Sequence, residues 1–133
     1  MIPTPPWHPH AALSGTTYSA AELSYENDRV FLLEQRELPG RETYHVYTSV
    51  KTVADAIKTM VVRGAPAIGI TAAYGMVLAA LAARPRDAGG YLGAMRAAGA
   101  ELDAARPTAV NLAWAVKKCL GLAEEHARLT GDE

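Results

Sequence analysis

The feature that most restricts the fold of this sequence is a run of twenty uncharged residues, Gly64 to Ala83, directly after Arg63. Such a run is long enough for one helix to cross a membrane. Much of it, however, is Ala and Gly, and strongly apolar residues are few. A helix that is apolar on all sides and rich in small residues is typical of the centre of a helical bundle. We therefore predict a buried core helix over about residues 66–83 and no membrane span.

Helix signals lie on both sides of this run. Thr52 followed by Asp55 matches a capping box for a first helix, and Gly64 is placed to end that helix in a left-handed conformation. Pro66 suits the first position of the second helix, because its missing N–H needs no partner there. Proline residues at 85 and 107 separate the second, third and fourth helices.

The third helix is predicted over about 87–104 and the fourth over about 109–129, with Thr108 as N-cap. In the fourth helix, the apolar pattern predicts that one set of residues faces inward: Val110, Ala113, Trp114 and Leu120. A charged set is expected to face outward: Lys117, Lys118, Glu124 and Glu125.

Strand signals precede the helices. The apolar run Val30 to Leu33 ends near the turn signal Pro39-Gly40, and "ETYHVYTSV" alternates between apolar and polar positions. The stretch "AELSYEND" adds a possible third strand, closed by a turn at Asn27-Asp28. The predicted class is α+β, with a small antiparallel sheet of two or three strands over about 22–48 and four helices over about 52–130. Residues 1–20 read as an extended arm containing Trp7, and residues 21–133 as one domain.

Charge and cysteine content exclude several classes of protein. The net charge is −1, which argues against a nucleic-acid partner. A single cysteine, Cys119, rules out an internal disulfide and fits a reducing compartment. The N-terminus lacks the basic and apolar regions of a secretory signal, so we expect a cytoplasmic protein.

The residues just before the core helix are candidates for anion binding. The first turn of a helix has unpaired N–H groups and a partial positive charge, and Gly64 leaves access to them open. Arg63 adds a full charge with forked donors that suit phosphate. Arg106, before Pro107 and the fourth helix, repeats the arrangement. From these residues alone, the alternative that Arg63 is merely a C-terminal helix charge and Gly64 a cap stays open.

Three histidines are candidate metal ligands. His8 and His10 could form a pair in the arm, but without further ligands nearby a plain tail is the favoured interpretation. His45, within a strand, is expected to be a surface or packed residue.

Two long motifs, "MVVRGAPAIGITAAYG" and "RPTAVNLAWAV", together with "VFLLEQRELPGRETYHVYTSVKTVADAIKTM", resemble the N-terminal domain of the S-methyl-5-thioribose-1-phosphate isomerase family. This family of the methionine salvage pathway is related to regulatory subunits of a translation initiation exchange factor and to ribose-1,5-bisphosphate isomerase. The resemblance runs from about Leu23 to the fourth helix.

The resemblance implies an aldose–ketose isomerisation of methylthioribose 1-phosphate to methylthioribulose 1-phosphate, without a metal or organic cofactor. It also implies that Arg63, Gly64, Ala65 and Arg106 contact the substrate. Homo-oligomers are expected as well.

In the family, a catalytic cysteine and an acid/base aspartate belong to a Rossmann-like C-terminal domain. We expect that domain to be absent from this chain, which would then hold no catalytic residue and be inactive alone. Cys119 is predicted to be a helix residue without a chemical role, and Asp55 and Asp103 a cap and a surface charge. Two alternatives stay open: a non-catalytic interaction module like the initiation-factor relatives, or a ribose-1,5-bisphosphate isomerase-like enzyme.

Overall fold

The sheet that precedes the helices has three antiparallel strands in a computed structural model that describes residues 21–24, 29–84 and 86–131. Strands β1 (Ala21–Ser24), β2 (Arg29–Leu33) and β3 (Tyr44–Tyr47) follow one another in the sheet in chain order. In this register Ala21 lies opposite Leu32, and Val30 lies opposite Tyr47. The expected N-terminal arm with Trp7, His8 and His10, and the turn at Asn27-Asp28, lie outside the described residues.

Strand β2 is buried on both faces of the sheet. Val30 and Leu32 point to the main hydrophobic core, which the helices complete. Phe31 and Leu33 point to the opposite side, where they form a second, smaller cluster with Tyr44. This position explains why the sequence of β2 is a continuous apolar run and does not alternate.

Four α-helices follow the sheet within the described part of the chain: α1 (Val50–Lys58), α2 (Ala65–Ala83), α3 (Ala88–Ala105) and α4 (Val110–Gly131). The predicted α+β class and the order of sheet and helices are confirmed. The bounds of α2, α3 and α4 agree with the predicted bounds within one or two residues, which is the usual uncertainty of helix ends.

The predicted cap of α1 is wrong. Ser49 is the N-cap, and its side chain accepts a hydrogen bond from the Thr52 N–H at 3.4 Å. The Thr52 hydroxyl donates to the Ser49 carbonyl oxygen at 2.9 Å. The helix begins earlier than Thr52 because Ser49, in extended conformation directly after β3, already offers a capping oxygen.

The predicted role of Gly64 as the end of α1 is also wrong. Helix α1 ends at Lys58, and Met60 takes the left-handed conformation that follows it, with φ 67°. Gly64 has a positive φ of 94°, but it is the N-cap of α2, and Pro66 is the second residue of that helix. A side chain at Gly64 would strain the backbone at this φ.

Helix α2 is the core helix that the sequence predicts. It packs against α1, α3, α4 and strands β1 and β2. Its buried side chains include Ile68, Ala72 and Met76, whereas Ile70 is 49% exposed. By length and composition α2 could cross a membrane, and within the described ranges no other helix could. Its packing against three helices and the sheet is that of a core helix.

Helices α2 and α4 run parallel. Near their N-terminal ends Gly69 of α2 lies against Asn111 of α4, and further along Met76 and Ala80 line a shallow groove together with Cys119 and Ala123. Helix α3 runs antiparallel to α4, because Gly99 packs against Val116 while Tyr91, at the other end of α3, contacts the ring of His126.

The predicted inward face of α4 is wrong for three of its four residues. Val110 and Trp114 are 78% and 67% exposed and Ala113 is exposed, whereas Leu120 is half-buried and packs against the core. The buried residues of α4 are instead Leu112, Ala115, Val116, Ala123 and Ala127. Apolar residues lie on two sides of α4, and close approach to the backbones of α2 and α3 selects the side with smaller side chains. The charged set Lys117, Lys118, Glu124 and Glu125 is exposed, as predicted.

Candidate anion-binding site

The N-terminal end of α2 is open to ligands. Its N-cap is Gly64, and no side chain of the described residues caps the helix. Ala65 and Pro66 are exposed, and the first turn holds no acidic residue. Unpaired amides and an uncompensated helix dipole make this end electrostatically positive and attractive to an anion.

The N-terminal end of α4 lies beside it. A Cβ atom added to Gly69 would approach the Asn111 carbonyl oxygen to 3.2 Å, so the second turn of α2 is in close contact with the first turn of α4. The first turn of α4 also holds no acidic residue. Because α2 and α4 are parallel, their positive ends meet at the same end of the bundle and their effects on an anion add.

Arg63 lies in the loop between α1 and α2 and is exposed. Its backbone N–H donates to Gln35 Oε1 at 3.2 Å, and its Nη2 donates to the Gln35 carbonyl oxygen at 3.1 Å. Since α1 ends at Lys58, Arg63 is not a last-turn charge of that helix, and this alternative is excluded. The guanidinium has further N–H donors that a phosphate can use.

Arg106 lies in the loop that leads into α4. It is the C-cap of α3, it is half-buried, and its carbonyl oxygen accepts a hydrogen bond from the Ala109 N–H at 3.0 Å. This turn brings Arg106 close to the start of α4. The structure thus places Arg63 and Arg106 in the two loops that precede the paired helix ends.

An ion cluster next to the α1–α2 loop consists of Glu34, which is buried, and of Arg36 and His45, which are partly exposed. The Glu34 side chain is 3% exposed, and it accepts hydrogen bonds from Arg36 Nε at 2.8 Å and Arg36 Nη2 at 2.6 Å. His45 Nε2 lies 3.0 Å from Glu34 Oε2. Glu34 also caps a short 3-10 turn, Gln35–Glu37, by accepting from the Arg36 N–H. The Leu38–Pro39 peptide bond that follows this turn is cis.

The pKa values of two side chains in and next to this cluster are shifted. The hydrogen bonds from Arg36 lower the pKa of Glu34 to about 2, although burial opposes that change. Burial raises the pKa of Tyr47 to about 12, and the negative charge of Glu34 adds to the effect. Sequence analysis did not single out Glu34, Gln35 or Arg36 as site residues. The only indication of their role in the sequence is Glu34, a charged residue directly after the apolar run of β2, where a buried charge without a partner would be costly.

Other titratable groups stand apart from the site. Cys119 is half-buried in α4 against the core, and burial raises the pKa of its thiol, which disfavours the reactive thiolate. Asp55 is exposed within α1. Asp103, predicted as a surface charge, is instead half-buried: burial raises its pKa, and its Oδ1 has no hydrogen-bond partner among the described residues. His45 packs against the ring of Tyr47.

Groups that could ligate a metal ion do not cluster within residues 21–24, 29–84 and 86–131. In that part of the chain no group of three or more His, Cys, Asp or Glu residues is arranged to hold a metal ion. His8 and His10 lie outside these ranges.

The fold is an α+β domain in which two parallel helix N-termini, each preceded by an arginine-containing loop, lie at one end of the bundle. Residues 61–133 match the model of the initiation factor 2 subunit family. The chain belongs to this family.

The proteins that this chain is similar to include isomerases and a subunit of a translation initiation factor. The chain is 50% identical over 96 residues to methylthioribose-1-phosphate isomerase of Pseudomonas savastanoi pv. phaseolicola. The aligned region covers 72% of this chain and 26% of that protein. The fold matches 5-methylthioribose 1-phosphate isomerase from Pyrococcus horikoshii OT3 with a TM-score of 0.74 and 40% identity, over 81% of this chain and 30% of that one. Subunit delta of translation initiation factor eIF-2B from A. fulgidus matches with a TM-score of 0.69 and 30% identity, over 85% and 35%.

The chain therefore spans between a quarter and about a third of the length of these relatives. The similarity to the Pseudomonas isomerase, at 50% identity, is higher than the similarity to the initiation-factor subunit, at 30%.

Proposed function

We propose that this chain is the N-terminal, substrate-contacting part of an isomerase that converts methylthioribose 1-phosphate to methylthioribulose 1-phosphate in methionine salvage. The observation that carries the proposal is the pair of parallel helix N-termini preceded by Arg63 and Arg106, in a chain 50% identical over 96 residues to such an isomerase. The substrate carries a phosphate, which is the chemical group that this end of the bundle suits.

The site would act by binding and orienting the substrate. The N–H groups of Ala65 and Ala67 in the first turn of α2 would donate to phosphate oxygens, and Arg63 would add a charge-assisted hydrogen bond. Arg106 would approach from the α4 side of the same end. Gly64 leaves room for this approach, since nothing lies within 4 Å of a Cβ atom added there.

The proton transfers of an aldose–ketose isomerisation need an acid/base group beside the sugar carbons. Within the described residues, Cys119 is half-buried in α4, and Asp103 is half-buried in α3. We propose that the reacting groups belong to the remaining part of the isomerase fold, that this part is a partner of the chain, and that the assembled enzyme is a cytoplasmic homo-oligomer. The chain alone would then be inactive.

A second candidate is a non-catalytic interaction module. The match to the initiation-factor subunit, with a TM-score of 0.69, supports it. The two candidates differ in one requirement, because only the isomerase function depends on binding a sugar phosphate.

Binding of methylthioribose 1-phosphate to the chain, measured by calorimetry, tests the proposal. Arg63→Ala and Arg106→Ala should each weaken binding about 10- to 100-fold, because each removes a hydrogen bond to a charged group worth about 1.5–3 kcal/mol. Arg128→Ala is the matched control: it removes the same charge at the far, C-terminal end of α4, and binding should not change. Binding that is unaffected by Arg63→Ala and Arg106→Ala would favour the interaction module.

Turnover provides the second test. A fusion of this chain to the rest of the Pseudomonas isomerase should convert the substrate, and Arg63→Ala should lower kcat/KM of the fusion about 10- to 100-fold. The chain without that part should give no product. Isomerase turnover by the chain alone would refute the assignment of the reacting groups to the remaining part of the fold.

A further inference from the structure

Gln35 contacts Arg63 twice, although the two residues are 28 positions apart in the sequence. The side-chain oxygen Oε1 accepts from the Arg63 backbone N–H at 3.2 Å. The backbone oxygen accepts from Arg63 Nη2 at 3.1 Å. Together these bonds fix both the backbone of Arg63 and the direction of its guanidinium.

The 3-10 turn that contains Gln35 is itself held against the same loop. The Gln35 N–H donates to the Val61 carbonyl oxygen at 2.8 Å, and Arg36 Nη1 donates to the Thr59 carbonyl oxygen at 3.4 Å. Arg36 is in turn held by the buried carboxylate of Glu34. The turn therefore contacts the loop at Thr59, Val61 and Arg63, which are alternate residues on the way into α2.

Core packing does not explain this arrangement. Arg63 is exposed and Gln35 is half-buried, so their contact buries little apolar surface. One bond holds the Arg63 backbone and the other holds its charged side chain, in the residue directly before the N-cap of α2. Binding is tighter when such a side chain is ordered before the ligand arrives, because less conformational entropy is lost on binding.

We propose that Gln35 is a positioning residue of the anion site: its Oε1 holds the Arg63 backbone N–H and its main-chain carbonyl oxygen holds the guanidinium, so that Arg63 is ordered for the phosphate of the ligand. This inference rests on the proposed function, since it concerns the same site. Gln35 lies in the 3-10 turn between β2 and β3, on a different element from Arg63, and would act on the ligand only through Arg63.

Gln35→Met tests the proposal, because Met keeps the size of the side chain and removes the acceptor. Inorganic phosphate is titrated into the chain and followed by amide chemical shifts. We expect phosphate to bind about three- to tenfold more weakly to Gln35→Met than to the wild type, as for the loss of one hydrogen bond. Glu37→Met, an exposed residue of the same turn, is the control and should bind as the wild type does.

Hydrogen exchange supplies a measurement that does not depend on ligand. In Gln35→Met the Arg63 amide should exchange about fivefold faster or more. The Gly90 amide, which donates to Asp87 Oδ1 at 2.8 Å in α3, should keep its rate, whereas general destabilisation would accelerate both. Gln35→Glu, which restores an acceptor oxygen, should restore the protection of the Arg63 amide.

The outcomes separate the two proposals. If the wild type binds phosphate, Arg63→Ala weakens binding and Gln35→Met does not, the positioning role is refuted and the anion site stands. An unchanged exchange rate of the Arg63 amide in Gln35→Met refutes it as well. If the wild type binds neither phosphate nor methylthioribose 1-phosphate, the proposed function fails, and the positioning role fails with it.

Discussion

At the scale of single residues, the contacts of Glu34 join the sheet to the site. Its carboxylate holds Arg36 and His45, and the Arg36 contact reaches the loop that presents Arg63. A buried carboxylate is tolerated only with such partners, because removing a charge from water without compensation is costly. Glu34 thus ties the stability of the fold to the geometry of the site.

Glu34→Gln should destabilise the chain in a pH-dependent way. The pKa of Glu34 is about 2 in the folded chain, against an ordinary value of 4.5. The charged form therefore stabilises the fold above pH 4.5, and this stability is lost as the pH falls from about 4.5 towards 2. At neutral pH we expect Glu34→Gln to cost about 1–3 kcal/mol, after allowance for solvent around the half-exposed Arg36.

Urea unfolding at a series of pH values measures this difference. The gap between wild type and Glu34→Gln should shrink as the pH falls towards 2, and Glu37→Gln, at an exposed position, should change stability little at any pH. A gap that stays constant with pH would mean that packing, and not the ion cluster, causes the loss.

At the scale of elements, small residues decide how closely the helices approach. A Cβ atom added to Gly99 of α3 would lie 2.9 Å from Cγ1 of Val116 in α4, so a larger residue there forces a shift of the side chains or backbones at this contact. At Gly75 of α2 the nearest atoms, of Val53 and Leu102, would lie at 3.2 and 3.3 Å. These glycines weaken helix propensity, and in return they permit close packing.

Gly99→Ala and Gly93→Ala form a matched pair within α3. Gly93 is exposed and has nothing within 4 Å of an added Cβ atom, so its substitution should stabilise the chain by about 0.5–1 kcal/mol through helix propensity. Gly99→Ala gains the same propensity but overpacks the α3–α4 contact, at a cost of about 1–3 kcal/mol. Thermal unfolding should therefore rank Gly93→Ala above Gly99→Ala. Equal stability of the two variants would show that the α3–α4 contact relaxes freely.

At the scale of the whole molecule, α4 carries three of the five large hydrophobic side chains that are exposed among the described residues. Val110, Trp114 and Leu122 are 78%, 67% and 58% exposed, and Trp114 and Leu122 line one groove whose other lining residues are Gly121 and three charged residues, Lys117, Lys118 and Glu125. Large exposed apolar groups on one side of a helix are typical of a surface that another polypeptide covers. The proposed assembly with the rest of the isomerase fold would have such a surface.

Self-association of the isolated chain follows from this surface. Sedimentation over a concentration series should detect oligomers, and Trp114→Lys should weaken association about tenfold or more, as expected for loss of a central aromatic contact. Glu124→Lys, which changes the charge of α4 at a position that does not line the groove, is the control and should leave association unchanged. A wild-type chain that stays monomeric throughout the series would contradict this prediction.

The sequence was sufficient for features that depend on neighbouring residues. The apolar run after Arg63 predicted the core helix α2, and Pro66 located its start. The alternation around Tyr44 predicted a strand. Where two nearby signals competed, the prediction was wrong: Ser49 and not Thr52 caps α1, and Met60 and not Gly64 takes the left-handed turn after it.

The face of α4 and the surroundings of Arg63 needed the tertiary structure. Both sides of α4 carry apolar residues, so periodicity does not distinguish Val116, which is buried, from Trp114, which is exposed. Likewise, nothing local connects Gln35 to Arg63.

The sequence by itself determined the order of elements, the core helix and the arginine at its start, because these depend on local backbone preference and composition. Only the tertiary structure decided which side of α4 is buried, that α2 and α4 run parallel, and that Gln35 holds Arg63, because contacts between residues distant in the chain exist only once the helices and sheet have packed together.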